Sequence, residues 1–158
     1  AERIRQIARH GQKKRYHHIR VGVNSRLDTI QAAIILPKLS ILDDEINSRS
    51  KLAAQYSYGL SGLSGICVPE IQSHNVSAWA QFTITSTQRD KLRAHLTKCS
   101  IPTAIHYPLP LHRQPAVADP NVYLPVAESL ANCVLSLPMH AYMSDDEKES
   151  ILEVIKTS

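Results

Sequence analysis

From Arg26 onward the apolar positions settle into helical spacing. Leu27, Ile30 and Ile34 form one stripe, while Ile35, Leu39, Leu42 and Ile46 form a second that repeats at four, three and four residues. The spacing predicts a long helix. Pro37 removes a backbone donor inside it and should kink it, so two angled pieces are expected as readily as one straight rod. Leu52, Tyr56 and Leu60 carry the helical pattern to Gly59 and Gly62, where glycine ends it. Offset stripes on one helix imply packing against two bodies, its own sheet and a partner domain or subunit.

Around this helix the pattern changes. Residues 3 to 9, with Ile4 and Ile7, read as a short helical or turn segment ending near Gly11, and the arm from there to Val23 reads as irregular. Beyond Gly62, Ile66, Val68 and the run Trp79 to Ile84 have strand character. Thr87, Gln88 and Asp90 open a helix from Arg89 to Lys98, and Ile101 to Tyr107 is strand-like. Val122 to Cys133 is helical, Val134 to Leu137 is a short buried strand, and Ser144 caps a last helix from Asp145 to Lys156. Strands separated by helices predict an α/β fold, a small sheet covered on one side by helices.

Charge is distributed unevenly. The formal net charge is +4, yet residues 1 to 20 hold seven basic residues against Glu2 alone, so this stretch carries +6 and the remainder −2. Readers of single-stranded nucleic acid interleave such charges with stacking aromatics, and here only Tyr16 and the pair His17 and His18 interrupt them. This argues against a nucleic-acid partner. The arm then reads as a solvated face or as the lining of a site for a diphosphate. The longest apolar run, Ala32 to Leu36, is far short of a membrane span. Cys67, Cys99 and Cys133 are odd in number and widely spaced, which implies reduced structural thiols in a cytoplasm.

Two stretches carry candidate chemistry. In Val21 to Leu39, an Asn-Ser-Arg-Leu-Asp turn abuts the start of the long helix. Ser25 and Asp28 have the spacing of a capping box, and the backbone N–H groups and positive dipole end behind them would suit an anion. Asn24 adds an amide and Arg26 a two-pronged guanidinium. The second stretch is Ile105 to Pro115, where three prolines stiffen a loop that presents His106 and Tyr107. His106 and His112 stand six apart without a nearby carboxylate, no G-x-S-x-G occurs, and five glycines are too few for a phosphate-cradling loop.

Three segments, HGQKKRYHHIRVGVNSRLDTIQAAIILPKL, IPTAIHYPLPLHRQPA and LSLPMHAY, resemble in sequence and order the C-terminal part of the DegT-type sugar-nucleotide aminotransferases. Members of that family are pyridoxal-phosphate enzymes of the aspartate-aminotransferase fold that make amino sugars for bacterial surface polysaccharides. The resemblance is strongest to members acting on a UDP-linked 3-keto uronic acid sugar. It implies that residues 1–25 are the end of the large domain, a basic arm with the phosphate-site turn, and residues 26–158 the small C-terminal α/β domain. By the same resemblance, Asn24 binds the cofactor phosphate of the neighbouring subunit in a homodimer with a shared active site. Arg26, His106 and Tyr107 touch the sugar nucleotide, glutamate donates the amino group, and His140 holds a turn. In the family the Schiff-base lysine lies upstream of the first segment. None of the eight lysines here has its serine-x-x-lysine setting, so the chain alone is expected to be inactive. A non-catalytic dimerisation or ligand-binding module derived from the family is the alternative.

Overall fold

A computed structural model describes all 158 residues and divides them into two compact units, residues 1–42 and 43–158. The first begins with helix α1 (Glu2–Ile7), followed by a short antiparallel hairpin of β1 (Gln12–Lys14) and β2 (His17–His18), and ends with helix α2 (Thr29–Ser40). The arm expected to be irregular is therefore paired. Its hydrogen bonds run from His10 N–H to Val23 O, Val23 N–H to Ile7 O and Ser25 N–H to Ala8 O, at 2.8–3.0 Å. Two glycines permit this close approach. A Cβ on Gly22 would lie 2.2 Å from the Gly11 nitrogen, and Gly11 itself has φ +75°.

The long helix is two helices, α2 and α3 (Leu42–Leu60), and the break falls at Ile41, whose φ of −109° and ψ of 3° leave the helical region. Pro37 lies within α2. On α3 the stripe of Leu52, Tyr56 and Leu60 is buried as its spacing predicts.

The second unit is built on a three-stranded antiparallel sheet in the order β3 (Ile66–Cys67), β4 (Phe82–Ser86), β5 (Val134–Leu137). Register pairs Phe82 with Leu137 and Ile84 with Leu135, which puts these four side chains on one face. That face meets Leu52, Tyr56 and Leu60 of α3, Leu92 and Leu96 of α4 (Arg89–Lys98), and Ile151 and Ile155 of α6 (Asp145–Lys156) in one core. The Tyr56 and Trp79 rings lie 5.2 and 5.5 Å from that of Phe82. Tyr56 donates its hydroxyl to Pro138 O at 3.0 Å, and burial raises its pKa. Ser144 caps α6 as expected, in a box with Glu147.

Three expected elements are shorter than their apolar runs. Trp79 to Gln81 lie outside β4, helix α5 (Pro125–Cys133) begins at Pro125 rather than Val122, and Ile101 to Tyr107 contribute only the pairing of Ala104 with Ser136 on the free edge of β5. Pro102 lacks a donor for a ladder, and the proline-rich run after Tyr107 supplies no further pairing.

Candidate functional site

The backbone of residues 23–25 is fastened to the end of α1, so the side chains that follow project from a fixed base. Asn24 and Arg26 are both exposed, and Arg26 donates Nε to Asn24 Oδ1 at 3.2 Å. That bond occupies the amide oxygen. It leaves Nδ2 of Asn24 and both terminal nitrogens of Arg26 free to donate, with no acidic side chain paired to either residue. Neutral and charged donors concentrated on one exposed turn, with the competing acceptor already engaged, fit a phosphate or carboxylate.

The helix terminus is arranged differently from the expectation. Ser25 does not cap α2: its N–H pairs with Ala8 O, and the helix starts only at Thr29. Asp28 is the N-cap, and its N–H donates to Gln31 Oε1 at 3.2 Å. A carboxylate already stands where the helix dipole would attract an anion. The donors open to an anion are therefore on the Asn24 and Arg26 side chains before the helix, and the helix N-terminus is occupied by its own cap.

His106 and Tyr107 lie in the second unit. Both are exposed, Tyr107 at 74 %, and their rings stand edge to face with centroids 5.4 Å apart; the peptide bond joining them is cis. Upstream the chain is pinned to the sheet by Ala104 N–H to Ser136 O at 3.2 Å and Ser136 N–H to Ala104 O at 2.8 Å. Downstream they open onto a trough of about 1020 Å³ whose walls include Leu111, Leu124 and Leu130. A smaller hollow of about 290 Å³, edged by Gln81, Thr103 and Met139, shares His106 as a wall, which makes this histidine the ridge between two concavities. An imidazole and a phenol on an apolar rim can hydrogen-bond hydroxyls while their rings cover a sugar face.

Sequence reading overlooked Glu128. His112 Nε2 lies 2.9 Å from Glu128 Oε1, and Arg113 reaches the same oxygen through Nη2 at 2.9 Å and Nε at 3.3 Å. Hydrogen bonds from His112 and then Arg113 hold the Glu128 carboxyl below the usual carboxylate range. The carboxylate that His112 lacks locally comes from 16 residues away, on α5 (Pro125–Cys133), and only the fold brings it there. His140 holds a turn, accepting the Tyr142 N–H at Nδ1 (3.3 Å), and Tyr142 donates its hydroxyl to Glu45.

The profile of the DegT/DnrJ/EryC1/StrS aminotransferase family matches residues 1–156. Over 143 residues the chain is 55% identical to UDP-2-acetamido-2-deoxy-3-oxo-D-glucuronate aminotransferase of Pseudomonas aeruginosa, covering 90% of this chain and 40% of that protein. It is 40% identical over 159 residues to dTDP-3-amino-3,4,6-trideoxy-alpha-D-glucose transaminase of Streptomyces venezuelae, covering 99% and 42%. Among solved structures, an aminotransferase of the family from Brucella abortus superposes with a TM-score of 0.89 at 43% identity, over 99% of this chain and 42% of that one. S. venezuelae DesV in complex with a ketimine intermediate gives 0.93 at 39% identity, over 99% and 43%. The chain thus spans about two fifths of the length of the curated relatives it matches.

Proposed function

The chain belongs to the DegT/DnrJ/EryC1/StrS aminotransferase family, and we propose that it forms the phosphate-anchoring and substrate-facing part of a cytoplasmic, pyridoxal-phosphate-dependent aminotransferase. The enzyme moves an amino group from glutamate to a keto sugar carried on UDP, a step toward a surface polysaccharide. Aminotransferases of this family are generally pyridoxal-phosphate-dependent. The similarity to the Pseudomonas 3-oxo-glucuronate aminotransferase supports the substrate class. The observation that carries the reading is the Asn24 and Arg26 pair, exposed, mutually oriented and rich in unengaged donors.

When bound, pyridoxal phosphate supplies the carbonyl that relays the amino group and the ring that takes up electrons during proton transfer. The roles of this chain's residues are to bind and orient. Asn24 donates Nδ2 to the cofactor phosphate of the neighbouring subunit, and Arg26 offers its terminal nitrogens to an anionic group of the sugar nucleotide. His106 and Tyr107 cover the sugar and bond its hydroxyls. A homodimer follows from a site shared between subunits, and the unburied apolar side chains of α2 support it, since Ile30, Ile34, Leu36 and Leu39 are all exposed.

None of the eight lysines serves as the amine that reacts with the cofactor. Adding pyridoxal phosphate to the chain, reducing with borohydride and mapping labelled lysines tests this division of roles. The expected result is scattered, substoichiometric labelling. One stoichiometric adduct at a single lysine overturns it.

A further inference from the structure

Residues 106–122 lie within the longest stretch of the second unit without helix or strand beyond a single 3-10 turn, Leu111–Arg113, and they carry His106 and Tyr107. Their backbone hydrogen bonds are local: Arg113 to Pro110 at 2.9 Å, Gln114 to Leu111 at 3.0 Å, Val117 to Gln114 at 2.9 Å and Asp119 to His112 at 3.4 Å. The Gln114 side chain likewise returns to Leu109 O at 3.2 Å. Such bonds shape the loop without attaching it. Prolines 108, 110, 115 and 120 restrict φ, so the loop moves more as a stiff plate than as a floppy chain. A stiff plate needs few attachments, and their position decides where its ends point.

Beyond the sheet pairing at Ala104, the hydrogen bonds that attach this loop to a neighbouring element all end on one atom, Oε1 of Glu128. The His112 side chain is only 9% exposed and lines the same trough as His106 and Tyr107. Fastening it to α5 therefore fixes a wall of the concavity as well as the loop. Arg113 adds a charged donor on the solvent side of the same oxygen. Hydrogen bonds to a charged acceptor are about twice as strong as those between neutral groups, which suits one residue holding a loop this long.

We propose that Glu128 is a positioning residue: by gathering His112 and Arg113 onto one carboxylate oxygen, it clasps the proline-rich loop to α5 and sets where His106 and Tyr107 meet the sugar nucleotide. The proposal rests on the reading of His106 and Tyr107 as substrate contacts. Glu128 itself touches no substrate. Its effect passes through the loop, so it alters the affinity for the sugar nucleotide and leaves the stability of the core nearly unchanged.

The test uses the full chain with Glu128→Ala, Glu128→Gln, His106→Ala and the Glu128→Ala/His106→Ala pair, with UDP-2-acetamido-2-deoxy-D-glucuronate as the probe. Amide exchange of peptides spanning residues 104–117 reports the loop, calorimetric titration reports binding, and thermal unfolding confirms that each variant folds. Glu128→Ala is expected to speed exchange in these peptides about fivefold or more with the core peptides unchanged, and to weaken probe binding about tenfold. Glu128→Gln keeps an acceptor oxygen at the same place and recovers most of both. The double variant binds no more weakly than His106→Ala alone, because the clasp acts through that side chain. Unchanged loop exchange in Glu128→Ala overturns the clasp while leaving the substrate reading intact, as does additive loss in the double variant. Failure of the unaltered chain to bind the probe, or binding indifferent to His106→Ala, overturns the substrate reading and the proposal with it.

Discussion

In residues 43–158, fifteen apolar side chains are buried, drawn from all four helices α3 to α6, both longer strands and the segments between them. In residues 1–42 the buried residues are Gln6 and Gly11, while Ile30, Ile34, Leu36 and Leu39 of α2 face solvent. The second unit is held by the transfer of apolar surface from water, the first by backbone hydrogen bonds that join the end of α1 to residues 19–25. The two candidate contact pairs divide along the same line. Asn24 and Arg26 project from a segment stitched through its backbone, whereas His106 and Tyr107 project from a loop fixed to a packed scaffold. Substitutions in the buried core of the second unit should therefore register first as lost stability, and substitutions at the exposed turn of the first as lost binding with stability intact.

The largest expected effect is in the core. Phe82 is fully buried between the Tyr56 and Trp79 rings, and Phe82→Ala should destabilise the protein by about 3–5 kcal/mol, read as a lower urea midpoint. A loss below about 1 kcal/mol would mean that this core is not what holds the second unit together.

Next in size is Asn24→Ala. One hydrogen bond from the amide to a phosphate, a charged acceptor, contributes about 1.5–3 kcal/mol, so retention of pyridoxal phosphate by the complete enzyme, whose lysine holds the cofactor, should fall roughly 10- to 100-fold while the urea midpoint stays within error. Visible absorbance of the cofactor during dialysis measures the first and a parallel denaturation the second. An equal loss of stability would erase the contrast between the units, since Asn24 would then be structural.

A smaller effect is expected at α6. Ser144 accepts the Glu147 N–H, and the Glu147 carboxylate accepts both the backbone N–H of Ser144 at 2.8 Å and its hydroxyl. Ser144→Ala should cost about 1 kcal/mol. The same bonds hold the Glu147 carboxyl below its ordinary value, led by the Ser144 backbone N–H. A carboxylate whose pKa is depressed by folding contributes stability that is complete above its unfolded pKa and fades as pH falls through the lower, folded one. Glu147→Gln should thus separate from the parent at neutral pH and converge with it in acid, and a gap independent of pH would show that the charge is not involved.

Local rules accounted for much of this molecule. The stripe of Leu52, Tyr56 and Leu60, the Ser144 cap and the short strand from Val134 were legible because each depends on neighbours within a turn or on a two-residue alternation. The true N-cap of α2 was hidden by two plausible candidates three residues apart. What separated Ser25 from Asp28 was a hydrogen bond to Ala8, a partner 17 positions back. The hairpin from Gln12 to His18 was likewise invisible to apolar periodicity, since its residues are polar and its pairing runs through the backbone. Within the candidate site, the residue types at Asn24, Arg26, His106 and Tyr107 could be picked out from short segments, while the Glu128 clasp needed the sixteen-residue closure that only the assembled fold provides.

The smallest expected change is the sharpest probe of the first unit. Ile34 is 56% exposed on α2, so Ile34→Ala removes little buried surface and should change the unfolding free energy, read from the urea midpoint, by less than about 0.5 kcal/mol. The equivalent truncation at Leu96, buried in the second unit, removes fully packed methyl groups and belongs with the losses of about 2–5 kcal/mol. If α2 lies against a second subunit, the Ile34→Ala midpoint will also depend on protein concentration, because a side chain buried only on association contributes by mass action and only where the dimer is populated. Measuring both variants at two concentrations a hundredfold apart therefore separates a helix that is merely exposed from one that is exposed until it is paired. A concentration-independent midpoint for parent and variant alike would remove α2 from the subunit contact.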